Sequence, residues 1–230
     1  MIYVGIDDTD TVDTPGTNQL ARALVARVAE DYQCVLIVRH QLLFDPRIPY
    51  TSKNGSASIL LKPRGPARLD ELVRKLRASM LDWFKAGSDP GLCATMSVPP
   101  EVTAFGLRCQ REIVRQEEAR QLAAKCSLYL EGLGGTEGGV IGALAAVGLL
   151  ATGNDGRIVS LGTWPDDLSG LQDARMLQER GVAVQEVDSG RLVTFGNVDV
   201  GKHMRPNYRN GRAVVFVVAD ASDWRAVRFT

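Results

Sequence analysis

Apolar and polar positions along the chain follow two rhythms, and the rhythm changes several times. "MIYVGI" is a short, mostly apolar run that reads as a strand. "NQLARALVARVAEDY" then repeats apolar positions at helical spacing, with Thr17 or Asn18 placed to cap its start. "CVLIVRHQLLF" and "SASILLK" read as strands, "ARLDELVRKLRASMLDWFKAG" as a periodic helix ending at Gly87, and "GLCATMSV" as a fourth strand. This β-α-β-β-α-β order is the split βαβ, or ferredoxin-like, arrangement.

A second section opens near "PPEVTAFG". There "RCQREIVRQEEARQLAAKCSLYLEG" predicts one long helix of mixed charge, and "VIGALAAVGLLA" an apolar helix. "RIVSLG", "VAVQEV", "RLVTFGNV" and "AVVFVVA" read as strands, with a polar helix around "LSGLQDARMLQERG". The expected class is α+β. A ferredoxin-like section over residues 1–100, carrying an acidic motif, packs against a second α+β section over residues 101–230 with a glycine-rich loop. No Pro- or Ser-rich linker separates the two, so a ligand cleft between them is expected.

Composition removes some partners. The 230 residues hold 27 Lys plus Arg against 27 Asp plus Glu, so no global basic field is available to hold nucleic acid nonspecifically. The four cysteines, Cys34, Cys93, Cys109 and Cys126, include no C-x-x-C pair, and the only histidines are His40 and His203. A zinc site or disulfide framework is therefore not expected, and the thiols should be reduced and in or near the core. The longest apolar stretch, "GGVIGALAAVGLLATG", is too short and glycine-rich to span a bilayer, and no signal peptide opens the chain. The expectation is a cytoplasmic protein with no membrane partner.

Candidate chemistry starts at "VGIDDTDTVDTPGTN", where Asp7, Asp8 and Asp10 follow the first strand. Crowded carboxylates repel unless a cation or proton relieves them. Magnesium takes a few carboxylates plus phosphate oxygens, so a metal reading brings a nucleotide or other phosphate ester with it. An Asp-rich turn that satisfies its own amides is the bland alternative. A strand followed by D-x-D-x-V also resembles the opening of haloacid dehalogenase-like phosphatases. That resemblance implies Asp8 as nucleophile and Asp10 as general acid, with Val12, Thr95, Lys125, Asp166 and Asp167 as loosely spaced companions.

"GLGGTEGGVIGALAAVG" places Gly132, Gly134, Gly135, Gly138 and Gly139 just before a helix. Unhindered amides there form an anion pocket, or the glycines simply permit close packing. No G-K-[ST] follows, so this is not a Walker A loop. Thr136 adds a hydroxyl to a phosphate or closes the turn, and Gly142 suits helix packing. "DPRIPYTSKNG" offers Asp45, Arg47, Tyr50, Lys53 and Asn54, although turn chemistry also explains Asn54-Gly55. "GKHMRPNYRNGR" holds Lys202, His203, Arg205, Arg209 and Arg212, either a grip for an anion or an exposed charged loop. His40 falls in a strand pattern and reads as a core residue. Asp89-Pro90-Gly91 reads as a turn.

Read together, "VGIDDTDTVDTPGTNQLA", "LLFDPRIPYTSKNGSA" and "GGVIGALAAVG" resemble, in the same order, the N-terminal half of the archaeal synthetases that attach agmatine to a cytidine in the isoleucine tRNA anticodon. The resemblance spans roughly residues 3 to 160. It implies an ATP-dependent kinase-like region joined to a ferredoxin-like one, and a transferase or ligase-like enzyme. It places ATP and magnesium at Asp7, Asp8 and Asp10, and puts Thr17 where the family carries a threonine that receives phosphate. Lys53, with Asn54 and Gly55, stands where the family tends toward an arginine. The nucleotide would also rest on Gly134, Gly135, Thr136, Gly138 and Gly139, with Glu137 opposing its phosphate. No OB-fold or zinc ribbon is read after this region, so the expectation is a stand-alone relative. Its second substrate would be an unidentified small molecule rather than tRNA. A nucleotide-binding protein without catalysis is the other class left open.

Overall fold

The computed structural model describes residues 1–9, 16–48, 54–162 and 168–228. Along the chain run β1 (Ile2–Asp7), α1 (Thr17–Arg27), β2 (Tyr32–Gln41), β3 (Gly55–Pro63), α2 (Leu69–Trp83) and β4 (Gly91–Thr95). There follow α3 (Pro100–Cys109), α4 (Gln116–Lys125), β5 (Tyr129–Gly132), α5 (Val140–Ala151) and β6 (Arg157–Leu161). The rest comprises β7 (Leu171–Asp173), α6 (Ala174–Glu179), β8 (Val182–Glu186), β9 (Asn197–Asp199), β10 (Asn207–Arg209), β11 (Arg212–Asp220) and β12 (Asp223–Ala226). The protein is a mixed α+β fold, and its strands join in one sheet of order β5-β4-β1-β3-β2-β6-β10-β11-β12-β9-β7, with β8 beside β11.

Within that sheet β4-β1-β3-β2 is antiparallel throughout, which is the ferredoxin-like order. Alternation along β1 sends Ile2, Val4 and Ile6 to one face, where they meet Leu20, Ala21 and Leu24 of α1 and Leu72, Leu76 and Met80 of α2. α5 lies on the other face against β1 and β4, beside α3 and α4. Ten of its twelve residues are buried, because sheet and helices surround it. Such close approach needs missing side chains. A Cβ on Gly5 of β1 would stand 1.9 Å from the Ala143 carbonyl oxygen, which leaves room only for glycine. A second core on that face combines Leu36, Val38 and Leu60 of β2 and β3 with Val182, Val184, Val215 and Val217 of β8 and β11.

Three expectations need correction. The predicted long helix from Arg108 to Gly132 is interrupted: α3 begins earlier and ends at Cys109, α4 starts at Gln116, and Tyr129–Gly132 is strand β5. Glu118 accepts a hydrogen bond from the Arg115 backbone N–H at 3.0 Å, opening a new helix, and Arg108 bridges the break to Glu112 and Glu118. Edge pairing with β4 overrides the helical pattern further on. Second, "RLVTFGNV" is reduced to a bridge at Leu192 and the start of β9, and the polar helix is the short α6, preceded by β7. Third, neither Thr17 nor Asn18 caps α1. Gly16 occupies that position without a side-chain hydrogen bond. The four cysteines are free thiols, Cys93 and Cys109 buried and the others half-buried. Among the described residues no helix is long and apolar enough to cross a membrane.

Candidate functional site

β1 delivers the acidic run to one end of the sheet. Asp7 pairs with Gly91 and Tyr3 with Thr95, so Asp7 sits at the end of β1 where α1 and α5 begin. Its side chain alternates to the α5 face, with Oδ2 so near the Gly142 backbone that a Cβ there would come within 1.8 Å. Asp8 follows in the left-handed region at φ 49°, a conformation Asp adopts more readily than branched residues. Its carbonyl accepts from the Asp89 N–H at 3.1 Å.

A cavity of about 590 Å³ opens beside these residues, within the roughly 300–1,000 Å³ typical of small-molecule sites. Three helices start at its wall: α1 with Gly16, Thr17 and Asn18, α4 with Arg115 and Gln116, and α5 with Gly139, Ile141 and Gly142. Each helix start carries about half a positive charge in its first-turn N–H groups. Arg39, Arg47 and Arg115 add full positive charges, against Asp7, Asp8, Asp89 and Glu112. Leu42, Ile48, Ile113 and Val114 make the remaining wall apolar. The arrangement can hold an anion and a cation side by side, next to an apolar group.

Of the sequence-expected residues, Asp7, Asp8, Thr17, Asn54, Gly55, Thr136, Gly138 and Gly139 line this cavity. Asp10 and Lys53 lie outside the described residues, as do Val12, Tyr50, Asp166 and Asp167. Gly134 and Gly135 are not in the lining. A Cβ on Gly134 would meet the Phe84 ring at 2.3 Å, and one on Gly135, at φ +58°, would meet Asp89 Oδ1 at 1.6 Å. Both serve packing of the loop. Asp89 fastens that loop: Oδ1 accepts from the Thr136 N–H at 2.7 Å, Oδ2 from the Thr136 hydroxyl at 2.5 Å, and its carbonyl from the Gly139 N–H at 3.0 Å. Glu137, which the sequence set against a phosphate, turns away and pairs with Arg120 of α4.

The Thr17 hydroxyl lies 3.2 Å from that of buried Thr9, which holds the start of α1 to the end of β1. The Asn54 amide donates to the Leu43 carbonyl at 2.7 Å and so closes the segment between β2 and β3. Arg47 is clamped by Asp45 in a two-pronged contact at 2.7 and 2.8 Å, and these hydrogen bonds hold the Asp45 carboxyl down at about 2. Cys109 also lines the cavity. Burial, aided by the negative Asp7, pushes its thiol up to about 12, so it stays protonated and is no nucleophile.

Sequence reasoning missed Arg39, Arg115 and the 112–114 segment. Arg39 was a lone cation in an apolar strand pattern, a usable signal. Arg115 had none, since its position depends on the break between α3 and α4. Among the described residues no three or more His, Cys, Asp or Glu side chains form a metal-binding group. Asp7 and Asp8 in one cavity still suit magnesium, which needs only one or two protein carboxylates when phosphate supplies other oxygens. Among the described residues the companions of the phosphatase alternative are not gathered: Thr95 sits at the opposite end of the ladder from Asp7, and Lys125 pairs with Glu101. Lys202, His203 and Arg205 are exposed and outside the cavity lining.

No protein-family model matches the chain. Two curated proteins are similar to it. One is an uncharacterized protein of Methanocaldococcus jannaschii, 29% identical over 153 residues, covering 64% of this chain and 49% of the relative. The other is tRNA(Ile2) 2-agmatinylcytidine synthetase TiaS of Archaeoglobus fulgidus, 29% identical over 152 residues, covering 64% of this chain and 35% of the relative. This chain thus spans half or less of the length of the curated relatives it matches. Among solved structures, the TiaS–tRNA(Ile2)–ATP complex superposes with a TM-score of 0.56 at 25% identity, covering 64% of this chain and 35% of that one. Over its N-terminal portion, about 64% of its length, the protein is homologous to TiaS.

Proposed function

We propose that this chain carries a TiaS-like domain that binds ATP with magnesium and catalyses phosphotransfer or nucleotide cleavage in the cytoplasm, where its four free thiols suit a reducing compartment. One observation carries the reading. Three helix N-termini and three arginines face a cavity that also holds Asp7 and Asp8. A polyphosphate with its divalent cation satisfies both sets of charge at once. The homology to TiaS, crystallised with ATP, supports the same ligand.

Asp7 and Asp8, with Asp10 next to them in the sequence, would hold a magnesium ion, which would supply neutralisation of charge on the phosphate oxygens. The first-turn amides of α1 and α5 orient those oxygens, and Arg39, Arg47 and Arg115 draw off negative charge as a bridging bond opens. Thr17, held by Thr9, accepts or contacts the transferred phosphoryl group. Asn54 and Gly55 border the cavity, and Lys53, next to them in the sequence, would steady the nucleotide. The apolar wall and protonated Cys109 exclude water from one side.

The second substrate is a small nucleophile or a tRNA. The expectation against tRNA rested on reading no OB-fold or zinc ribbon, together with zero net charge, and the relative crystallised with tRNA(Ile2) gives it no support. Local charge also argues for keeping tRNA. The ladder pairs Arg39 with Arg157, Arg157 with Asn207, and Arg209 with Arg212. These four arginines therefore share one face of the sheet, continuous with the cavity.

ATP labelled separately at its α and γ phosphates tests the reading, incubated with magnesium and with or without tRNA. AMP with pyrophosphate indicates synthetase-like chemistry, and ADP or protein-bound phosphate a kinase-like step at Thr17. Asp8→Asn should abolish turnover while the melting temperature stays near that of the parent. Unchanged turnover in that variant removes the metal reading. Nucleotide binding without turnover, with tRNA present, leaves a sensor.

A further inference from the structure

One polar chain, buried at His40 and Ser58 and half-buried at Asp155 and Gln110, lies outside the cavity lining and has no part in the chemistry above. His40 of β2 is fully buried, with Nδ1 2.6 Å from Asp155 Oδ1 and Nε2 2.7 Å from Ser58 Oγ. The other Asp155 oxygen accepts from Gln110 Nε2 at 2.8 Å, and the same amide nitrogen donates to the Gln41 carbonyl at 3.0 Å. The Ser–His–Asp sequence of contacts has the form of a hydrolase relay, but Ser58 has no exposed surface and lies mid-strand in β3. No substrate can reach its oxygen, so nucleophilic catalysis is excluded.

What the chain does reach is the cavity wall from behind. Gln110 caps the C-terminus of α3, directly before the segment whose Glu112, Ile113, Val114 and Arg115 line the cavity. Gln41 and His40 belong to the end of β2, next to Arg39 and Leu42 in the lining. Asp155 thus ties two walls together without touching the space between them. The approach is built in. At Gly156, φ +86°, a Cβ would stand 2.6 Å from the Arg39 carbonyl and 2.9 Å from His40 Nδ1, so only glycine lets Asp155 come this close.

We propose that Asp155 is a positioning residue of the nucleotide site. Through Gln110 and His40 it holds the α3–α4 segment, and with it Arg115, at the distance from Arg39 that a polyphosphate requires. This rests on the nucleotide reading given above. A charged, hydrogen-bonded carboxylate shared between a histidine and an amide fixes both partners at once, and losing it leaves the buried His40 without that partner and Gln110 with only the Gln41 carbonyl.

The test uses the full chain and three variants, Asp155→Ala, Asp155→Asn and Gln110→Ala, all compared at a temperature where each is folded by circular dichroism. Titration calorimetry gives the Kd for magnesium-ATP, and hydrogen exchange reads the amides of residues 110–115. Asp155→Ala should raise the Kd about tenfold or more and speed exchange at 110–115. Asp155→Asn, which keeps an acceptor for Gln110, should recover most of the affinity. Gln110→Ala removes only the link to the cavity wall and should weaken binding similarly, and it decides the matter if Asp155→Ala does not fold. A Kd within twofold of the parent in Gln110→Ala, or in Asp155→Ala with only a lower melting temperature, overturns the proposal. If the parent chain binds no magnesium-ATP, the nucleotide reading fails. Exchange at 110–115 then still decides the positioning role, unchanged protection refuting it.

Discussion

Gly142 offers a way to displace Asp7 without removing it. It is the third residue of α5, and a Cβ there would lie 1.8 Å from Asp7 Oδ2 and 2.4 Å from Asp7 Cγ, where ordinary contact begins at 3.4 Å. Oδ2 and Cγ move with rotation of the Asp7 side chain, but Asp7 Cβ, at 2.9 Å, is fixed by β1, so relief requires the carboxylate to swing away and α5 to ease slightly off the strand. Overpacking of this kind costs about 1–3 kcal/mol, while replacing a helical glycine by alanine returns up to about 1 kcal/mol. Gly142→Ala should therefore lose roughly 1–2 kcal/mol, a fall in melting temperature of about 2–8 °C at 2–4 °C per kcal/mol for a chain this long. Binding should suffer more. A charged contact is worth about 1.5–3 kcal/mol, which is about 10- to 100-fold in Kd for magnesium-ATP by calorimetry. Gly5→Ala is the control. Its Cβ would meet the Ala143 backbone oxygen at 1.9 Å, nothing there can rotate, and cooperative folding should be lost. A folded Gly142→Ala protein that binds magnesium-ATP as tightly as the parent would refute the placement of Asp7 at the nucleotide site.

Two further outcomes follow from buried polar groups. Ser56 Oγ is buried with no hydrogen-bond partner among the described residues, and an unmet buried hydroxyl costs about 1–3 kcal/mol, so Ser56→Ala should leave stability unchanged or raise it by about 1 kcal/mol. A urea midpoint that falls instead would reveal a partner for that oxygen. Asp155 is pulled up by burial, but the hydrogen bond and charge of His40, then Gln110 and Arg209, outweigh this and hold it below its ordinary 3.8. A carboxyl depressed in the folded state adds stability that is complete above its unfolded pKa and is lost as pH falls through the folded value. Asp155→Asn should therefore flatten the acid limb of a stability–pH profile below about pH 4, measured by urea unfolding, and an acid limb identical to the parent's would count against the charge at Asp155.

The elements from β1 to β4 were legible because each satisfies a local rule that the packing also uses. β1 and α2 keep a clean period, and "VIGALAAVGLLA" coincides with α5 because a helix buried on every side needs no amphipathic stripe. The break after Cys109 was not legible. Its residues keep a helical pattern, and the reason for stopping is tertiary: Gln110 is drawn to Asp155 and Gln41, and Ile113 and Val114 are needed on the cavity wall. Arg115 was invisible for the same reason. The short strand β10 hid inside a basic, polar run, although Asn210 and Gly211, both at positive φ, form the two-residue turn that joins it to β11.

The portion beyond the TiaS homology is built into the protein rather than hung from it. β8 and β11 lie in the C-terminal third, yet Val182, Val184, Val215 and Val217 share a core with Leu36 and Val38 of β2 and Leu60 of β3. β6 continues the ferredoxin-like sheet by pairing with β2 from Leu36 to Arg39. The strand that carries Arg39 into the cavity is thus held on its outer edge by β6 and along its side by C-terminal valines. A central strand with both edges paired and one face buried cannot slip in register without exposing that face. The position of Arg39, and of the anion it would bind, therefore depends on residues far along the chain from the acidic motif.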